Sequence, residues 1–260
     1  MGPMTERRAE PSLSVGTRVA FPLVGALAVA VVLRGLYPPE GIDARLLDPA
    51  LVAGLCLAGL LWYVSARLVP SRTAGRPLGR LFGLANTLTL LRGALYAVVA
   101  GFVVVPPDTR LAWVPALAYG SGIVLDKLDG TVARTVGRET VLGERLDMAF
   151  DTFGFVAAPL VAVAWGQLPV WYLSLSAARY VYRGGLGWRR RRGQPLYDPP
   201  DSDLGKYLAG VQMVFLTAAL TPAVPTEFVW TAAPFVLAPS LGVFARDFLV
   251  VTGRLSGPER

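Results

Sequence analysis

Eight apolar runs of near-spanning length recur along this chain, at about 17–35, 48–66, 84–104, 111–128, 147–166, 168–183, 206–223 and 230–251. A helix needs roughly 20 mostly apolar residues to cross the hydrocarbon of a bilayer. Soluble domains bury apolar segments, but they rarely repeat them at this length from end to end. Composition agrees: 17% of the residues are charged, against about 25% in ordinary soluble domains, and mean hydropathy is +0.50. The runs do not alternate in the two-residue pattern of a membrane barrel, so the spans are helices. The first run is long and is followed by others of its kind, so it reads as a retained span rather than a cleaved leader. The expected fold is an all-α integral membrane protein.

Basic residues orient such a chain, because lysine and arginine favour the cytoplasmic side. With the N-terminus inside, 18 of the 25 basic residues fall in cytoplasmic segments, and three, Arg34, Arg45 and Arg110, fall outside. Both termini are therefore expected in the cytoplasm. The run Arg189–Arg192 fits a loop beside anionic lipid better than a nucleic-acid contact, so no nucleic-acid partner is expected. Cys56, the single cysteine, reads as a small buried hydrophobe. With no histidine in the chain, imidazole-based zinc or haem chemistry is excluded.

The chain divides into unequal parts. Residues 1–67 hold a tail and two accessory spans, and 68–83 form a basic linker rich in glycine and proline. Residues 84–251 form a six-helix unit that carries the concentrated charge, and 252–260 are a cytoplasmic tail.

Within that unit, Asp126, Asp129, Asp147 and Asp151 are separated by 3, 18 and 4 residues. Each pair shares a helix face, and the topology brings the two helix ends together at the cytoplasmic edge of the membrane. Acidic groups in spans mark ion or substrate paths. Four of them repel one another unless cations neutralise them, and a hard oxygen donor set favours Mg²⁺, Mn²⁺ or Ca²⁺. Two ions could clamp the attacking and leaving oxygens of a phosphoryl group. Gly130 and Gly143 allow close approach to the backbone, Ala133 suits tight helix packing, and Arg134 can fork onto phosphate oxygens.

The pattern Asp126-x-x-Asp129-Gly130-x-x-Ala133-Arg134, then eight residues, then Gly143-x-x-x-Asp147-x-x-x-Asp151 resembles the full signature of the CDP-alcohol phosphotransferases, without a gap. ANTLTLLR at 85–92 is similar to the PNxLTxxR start of that family's first core helix, with Ala85 in place of proline. The resemblance covers about 84–251, which makes the fold a six-transmembrane-helix catalytic core with two helices added in front.

The resemblance implies a membrane enzyme that transfers a substituted phosphoryl group from a CDP-linked lipid to a small alcohol and releases CMP. It implies that Asp126, Asp129, Asp147 and Asp151 bind two Mg²⁺ ions, with Mn²⁺ as an alternative, and that Asp151 is the general base. Asn86, Thr89, Arg92, Gly130, Ala133, Arg134 and Gly143 would bind the CDP group. It also implies a homodimer and an active site facing the cytoplasm.

Two short fragments bear on the acceptor. AR at 178–179 and GKxxxxxQ at 205–212 resemble phosphatidylglycerophosphate synthases. Arg179, Arg183 and Lys206 would then bind a phosphorylated acceptor, glycerol 3-phosphate first. Inositol phosphate, serine or another alcohol are the alternatives within the family. An ion-coupled transporter is the alternative outside it, disfavoured because the acids crowd one junction instead of the bilayer midplane of two symmetry-related halves.

Overall fold

A computed structural model describes residues 48–71, 84–136, 141–197 and 203–255. Seven α-helices appear among them, and no strand. They are α1 (Pro49–Ser71), α2 (Leu84–Gly101), α3 (Val114–Val136), α4 (Val141–Ala164), α5 (Ser174–Arg191), α6 (Asp203–Ala219) and α7 (Thr226–Val251). Short 3₁₀ turns follow α2 at Phe102–Val104 and precede α5 at Val170–Leu173. The expected first span, 17–35, lies outside the described residues, as does the 72–83 part of the linker.

Among the described residues, two stretches are long and apolar enough to cross a membrane: Asp147–Ala164 within α4, and Thr226–Val251, the whole of α7. Shorter apolar segments occupy Pro49–Leu60 and Leu88–Val104. Large apolar side chains, among them Leu55, Trp62, Leu117, Phe228 and Phe235, project from the outside of the bundle. In water such a surface would promote association; facing lipid, it is the ordinary state of a membrane helix bundle.

Helix α2 is the hub and packs against α1, α3 and α4. Tyr96, Val99 and Phe102 form the centre of the core with Ala157, Ala158, Val161 and Ala162 of α4. Small residues dominate the α4 face because helix association in lipid depends on close packing rather than on expelling water. Helix α1 joins the same core through Ala50 and Ala53. A Cβ on Gly101 would lie 2.7 Å from the Pro49 carbonyl oxygen, so glycine is what lets α1 and α2 approach.

The end of α4 is fixed by local chemistry. Gly166 adopts φ +71°, a left-handed position suited to glycine. There the Gly166 and Gln167 amides donate back to Val163 and Ala162 at 2.9 Å, which terminates the helix. Two indoles tie this end down: Trp165 Nε1 donates to the Val105 carbonyl at 2.7 Å and Trp230 Nε1 to the Gly166 carbonyl at 3.1 Å. Pro159, Pro234 and Pro239 lie inside α4 and α7 without ending them, as neighbouring helices allow in a membrane bundle.

Helix limits differ from those read off hydropathy. The run 111–128 becomes a helix reaching Val136, and the run beginning at 147 becomes a helix starting at Val141. Hydropathy marks where a segment stops being apolar, whereas the backbone ladder continues through polar residues. The four signature aspartates therefore stand on helical turns rather than in a connecting loop.

Candidate active site

Three helices deliver the charged groups. Arg92 comes from the middle of α2 and is fully buried, with 0% exposure. Asp126 comes from α3, and Asp147 and Asp151 from successive turns of α4. Arg92 Nη1 donates to Asp126 Oδ1, and Nη2 donates to Asp147 Oδ1. Nη2 also reaches the Asp147 carbonyl oxygen at 3.4 Å. Asp151 Oδ1 lies 3.6 Å from the same nitrogen, close enough for an ion pair and too far for a hydrogen bond.

The planar guanidinium suits this task, since one rigid fork can hold carboxylates from two helices at once. The three aspartates each place an oxygen within 4.8 Å of the others. They are partly exposed, at 22%, 42% and 23% for Asp126, Asp147 and Asp151. A ligand can therefore enter from one side while Arg92 closes the other.

The donor set fits a divalent cation. It consists of hard oxygens, as Mg²⁺ and Mn²⁺ require. Oxygens around one such ion stand roughly 3–4 Å apart, given bonds of about 2.1 Å, so small rotamer changes close the observed spacing. Asp151 Oδ1 is buried without a hydrogen-bond partner, and one guanidinium does not balance three carboxylates.

Other expected site residues distribute as follows. Thr89 is buried at 4% exposure, one turn before Arg92. Asn86 lies on the first turn of α2, Asp129, Gly130, Ala133 and Arg134 on the last turns of α3, and Gly143 on the first turn of α4. For these six, the helix position alone is described. Asp129 follows Asp126 by three residues and so shares its face of α3.

Among the three basic residues expected at the acceptor, Arg179 alone lines a cavity. Its Nη1 lies 3.4 Å from Thr152 Oγ1, beside Asp151, and its guanidinium stacks 5.1 Å from the Phe155 ring centroid. It lines a cavity of about 210 Å³ shared with Gln212, Ser240 and Asp247, among apolar side chains of α4 to α7. Arg183 is exposed on α5. Lys206 is exposed on α6, 3.4 Å from Asp203.

No site role was expected of Ser240 or Asp247, and Gln212 entered only as the last letter of a short fragment. The signal available was the presence of polar groups inside long apolar helices. Gln212 is 1% exposed. It accepts from the Tyr172 hydroxyl, and its amide donates to the Val236 carbonyl at 2.9 Å and to Ser240 Oγ at 3.0 Å. These bonds join α6, α7 and the turn before α5.

Comparison with curated proteins gives no match. The sequence profile of the CDP-alcohol phosphatidyltransferase family matches residues 82–238, more than half of the chain and the whole of the carboxylate cluster. With the signature aspartates on α3 and α4 and this match across the helices that carry them, the chain belongs to the CDP-alcohol phosphotransferase family.

Proposed function

We propose that this protein transfers a phosphatidyl-type group from a CDP-linked lipid such as CDP-diacylglycerol to glycerol 3-phosphate, with release of CMP. The observation that carries the reading is the convergence of Asp126, Asp147 and Asp151 from two helices around the buried Arg92 of a third. The acceptor hydroxyl oxygen bonds to the lipid-bearing phosphorus, the bond from that phosphorus to the CMP oxygen breaks, and the hydroxyl proton passes to Asp151. Two divalent ions, Mg²⁺ first, held by Asp126, Asp129, Asp147 and Asp151, would neutralise the pyrophosphate and the departing CMP.

The chain's own residues have separable tasks. Arg92 holds Asp126 and Asp147 in register, and Asp151, the least tightly held of the three, serves as the base on the acceptor. Asn86, Thr89, Gly130, Ala133, Arg134 and Gly143 form the surface for the CDP group, with Arg92 behind it. Arg179 takes the acceptor phosphate, since a guanidinium forks onto such oxygens. Asp247 and Ser240 on the same cavity offer partners to its hydroxyls, with Gln212 holding Ser240 in place. Arg183 and Lys206 add positive charge on the approach.

In this reading, residues 84–251 are the catalytic unit and the helices before it are accessory. The basic-residue asymmetry supports cytoplasmic termini and a cytoplasm-facing site, and two copies form a homodimer as the family resemblance implies. The test is CMP release by purified protein in lipid, offered CDP-diacylglycerol and Mg²⁺ with one acceptor at a time. Glycerol 3-phosphate should drive release. Preference for inositol 1-phosphate or serine would reassign the acceptor, and silence across diacyl and ether-lipid donors would overturn the reading.

A further inference from the structure

One helical turn deeper than the charged cluster, the same three helices meet again. Four residues after Arg92 stands Tyr96, four before Asp126 stands Gly122, and three after Asp151 stands Gly154. Tyr96 is 1% exposed, and its ring fills the space that the two glycines leave. A Cβ on Gly122 would lie 2.4 Å from Tyr96 Cε1, and one on Gly154 would lie 2.6 Å from Cε2. Real Cβ atoms do not come so close to ring carbons, so the ring is clamped on both edges. Tyr119, two turns below Asp126 on α3, backs it with ring centroids 5.2 Å apart.

Packing explains an aromatic ring here but not a phenol. A buried tyrosine hydroxyl ordinarily has a hydrogen-bond partner, and an unpaired one costs about 1–3 kcal/mol. The Tyr96 hydroxyl is buried without a partner, and so are Arg92 Nε and Asp151 Oδ1. The Tyr119 hydroxyl behind Tyr96 is also without a partner, so three donors and one acceptor lack hydrogen bonds on neighbouring turns of the helices that build the site. Phenylalanine would fill the slot equally well and avoid that cost.

We propose that Tyr96 is a positioning residue for the transfer reaction: its clamped ring sets the depth of the site floor, and its hydroxyl, unpaired in this structure, is the donor that the Asp151 carboxylate takes up when a ligand enters the site. The ring prevents α3 and α4 from closing beneath the cluster, which fixes how far apart Asp126 and Asp151 stand. The hydroxyl and Asp151 Oδ1 are not bonded to each other in this structure, and pairing them on ligand binding would give the less tightly held carboxylate a donor one turn below it. Gly122 and Gly154 are then required because any side chain there would displace the ring. The inference rests on the proposed transfer reaction, so its test includes a binding readout that does not need turnover.

Wild type, Tyr96→Phe, Tyr96→Leu, Gly154→Ala and the double variant Tyr96→Leu/Gly154→Ala would be compared in lipid. The readouts are Mn²⁺ affinity by electron paramagnetic resonance, kcat and donor KM from CMP release, and thermal midpoint in chelator. Groups that orient metal-binding side chains typically change affinity or activity by about 10–100-fold. Tyr96→Leu and Gly154→Ala should each weaken Mn²⁺ binding by about that much, and the double variant should recover most of it, because the added methyl refills the slot. Tyr96→Phe should hold or raise the thermal midpoint, keep donor KM and lower kcat by about tenfold. Wild-type kcat in Tyr96→Phe, or Mn²⁺ affinity unchanged in Tyr96→Leu, would overturn the inference. Absence of CMP release from wild type would count against the reaction instead and leave the Mn²⁺ comparison decisive for Tyr96.

Discussion

Arg92 on α2 and Asp147 on α4, 55 residues apart in the chain, are joined inside the bundle by a charge-assisted hydrogen bond. The same guanidinium holds Asp126 of α3. One side chain therefore sets the relative register of three helices and keeps two carboxylates facing a third. Burying a charge is costly unless it is paired, so the ion pairs and the helix packing depend on one another.

Replacing Arg92 should show that dependence. Arg92→Ala leaves three clustered carboxylates without their counter-charge. Losing one partner of a fully buried pair costs about 3–5 kcal/mol, and the partial exposure of these carboxylates puts the expected loss at or below the lower end. Arg92→Lys keeps the charge but cannot fork between Asp126 and Asp147. The expected order in thermal midpoint and in CMP release is wild type, then Lys, then Ala, measured in the same lipid without added metal for stability and with Mg²⁺ for activity. Equal midpoints for all three would contradict the register role.

Asp151→Asn keeps the shape of the side chain and removes its capacity to take a proton. General-base catalysis contributes about 10²–10⁴-fold, and the variant should lose at least that much acceptor-dependent CMP release. Its thermal midpoint should stay near wild type, since the variant loses only a 3.6 Å ion pair with Arg92 and gains relief from the repulsion of Asp126 and Asp147.

The cavity between α4 and α7 should control the acceptor alone. Arg179→Gln removes the forked donor and Asp247→Asn removes a carboxylate from the wall shared with Gln212. A hydrogen bond to a charged group is worth about 1.5–3 kcal/mol, so acceptor KM should rise by roughly tenfold or more while donor KM is unchanged. Steady-state kinetics with each substrate varied separately checks this, and a matched rise in donor KM would place these residues elsewhere.

The hydrogen-bonded group of Tyr172, Gln212 and Ser240 should matter for stability. Gln212→Leu removes the acceptor for the Tyr172 hydroxyl and the donor to Ser240. A buried polar group left unpaired costs about 1–3 kcal/mol, so the thermal midpoint should fall, and Tyr172→Phe added to Gln212→Leu should recover part of it.

The carboxylate cluster was legible in the sequence because its chemistry is helical and local. Asp147 and Asp151, four apart, need only one helix to share a face, and an acidic pair in an apolar run is too costly to be incidental. The pairing of Arg92 with the carboxylates was not legible, since Asn86, Thr89 and Arg92 at steps of three resemble a polar face for a nucleotide. Only the tertiary packing of α2 against α3 and α4 turns the guanidinium onto the carboxylates. Tyr96, Gly122 and Gly154 carry no local signal: an aromatic and two small residues in apolar helices read as ordinary packing until three helices meet at one depth. The helix limits at Val136 and Val141 were missed because hydropathy reports the lipid boundary rather than the end of the backbone ladder.

The most direct test of metal-dependent transfer is a Mg²⁺ titration of CMP release from CDP-diacylglycerol, with and without glycerol 3-phosphate, on wild type and Asp126→Asn. Release should require both metal and acceptor, stop on chelation, and shift to higher Mg²⁺ in Asp126→Asn. Release that continues in chelator, or a Mg²⁺ requirement unchanged by loss of the Asp126 charge, would contradict a metal-dependent transfer carried by this carboxylate cluster.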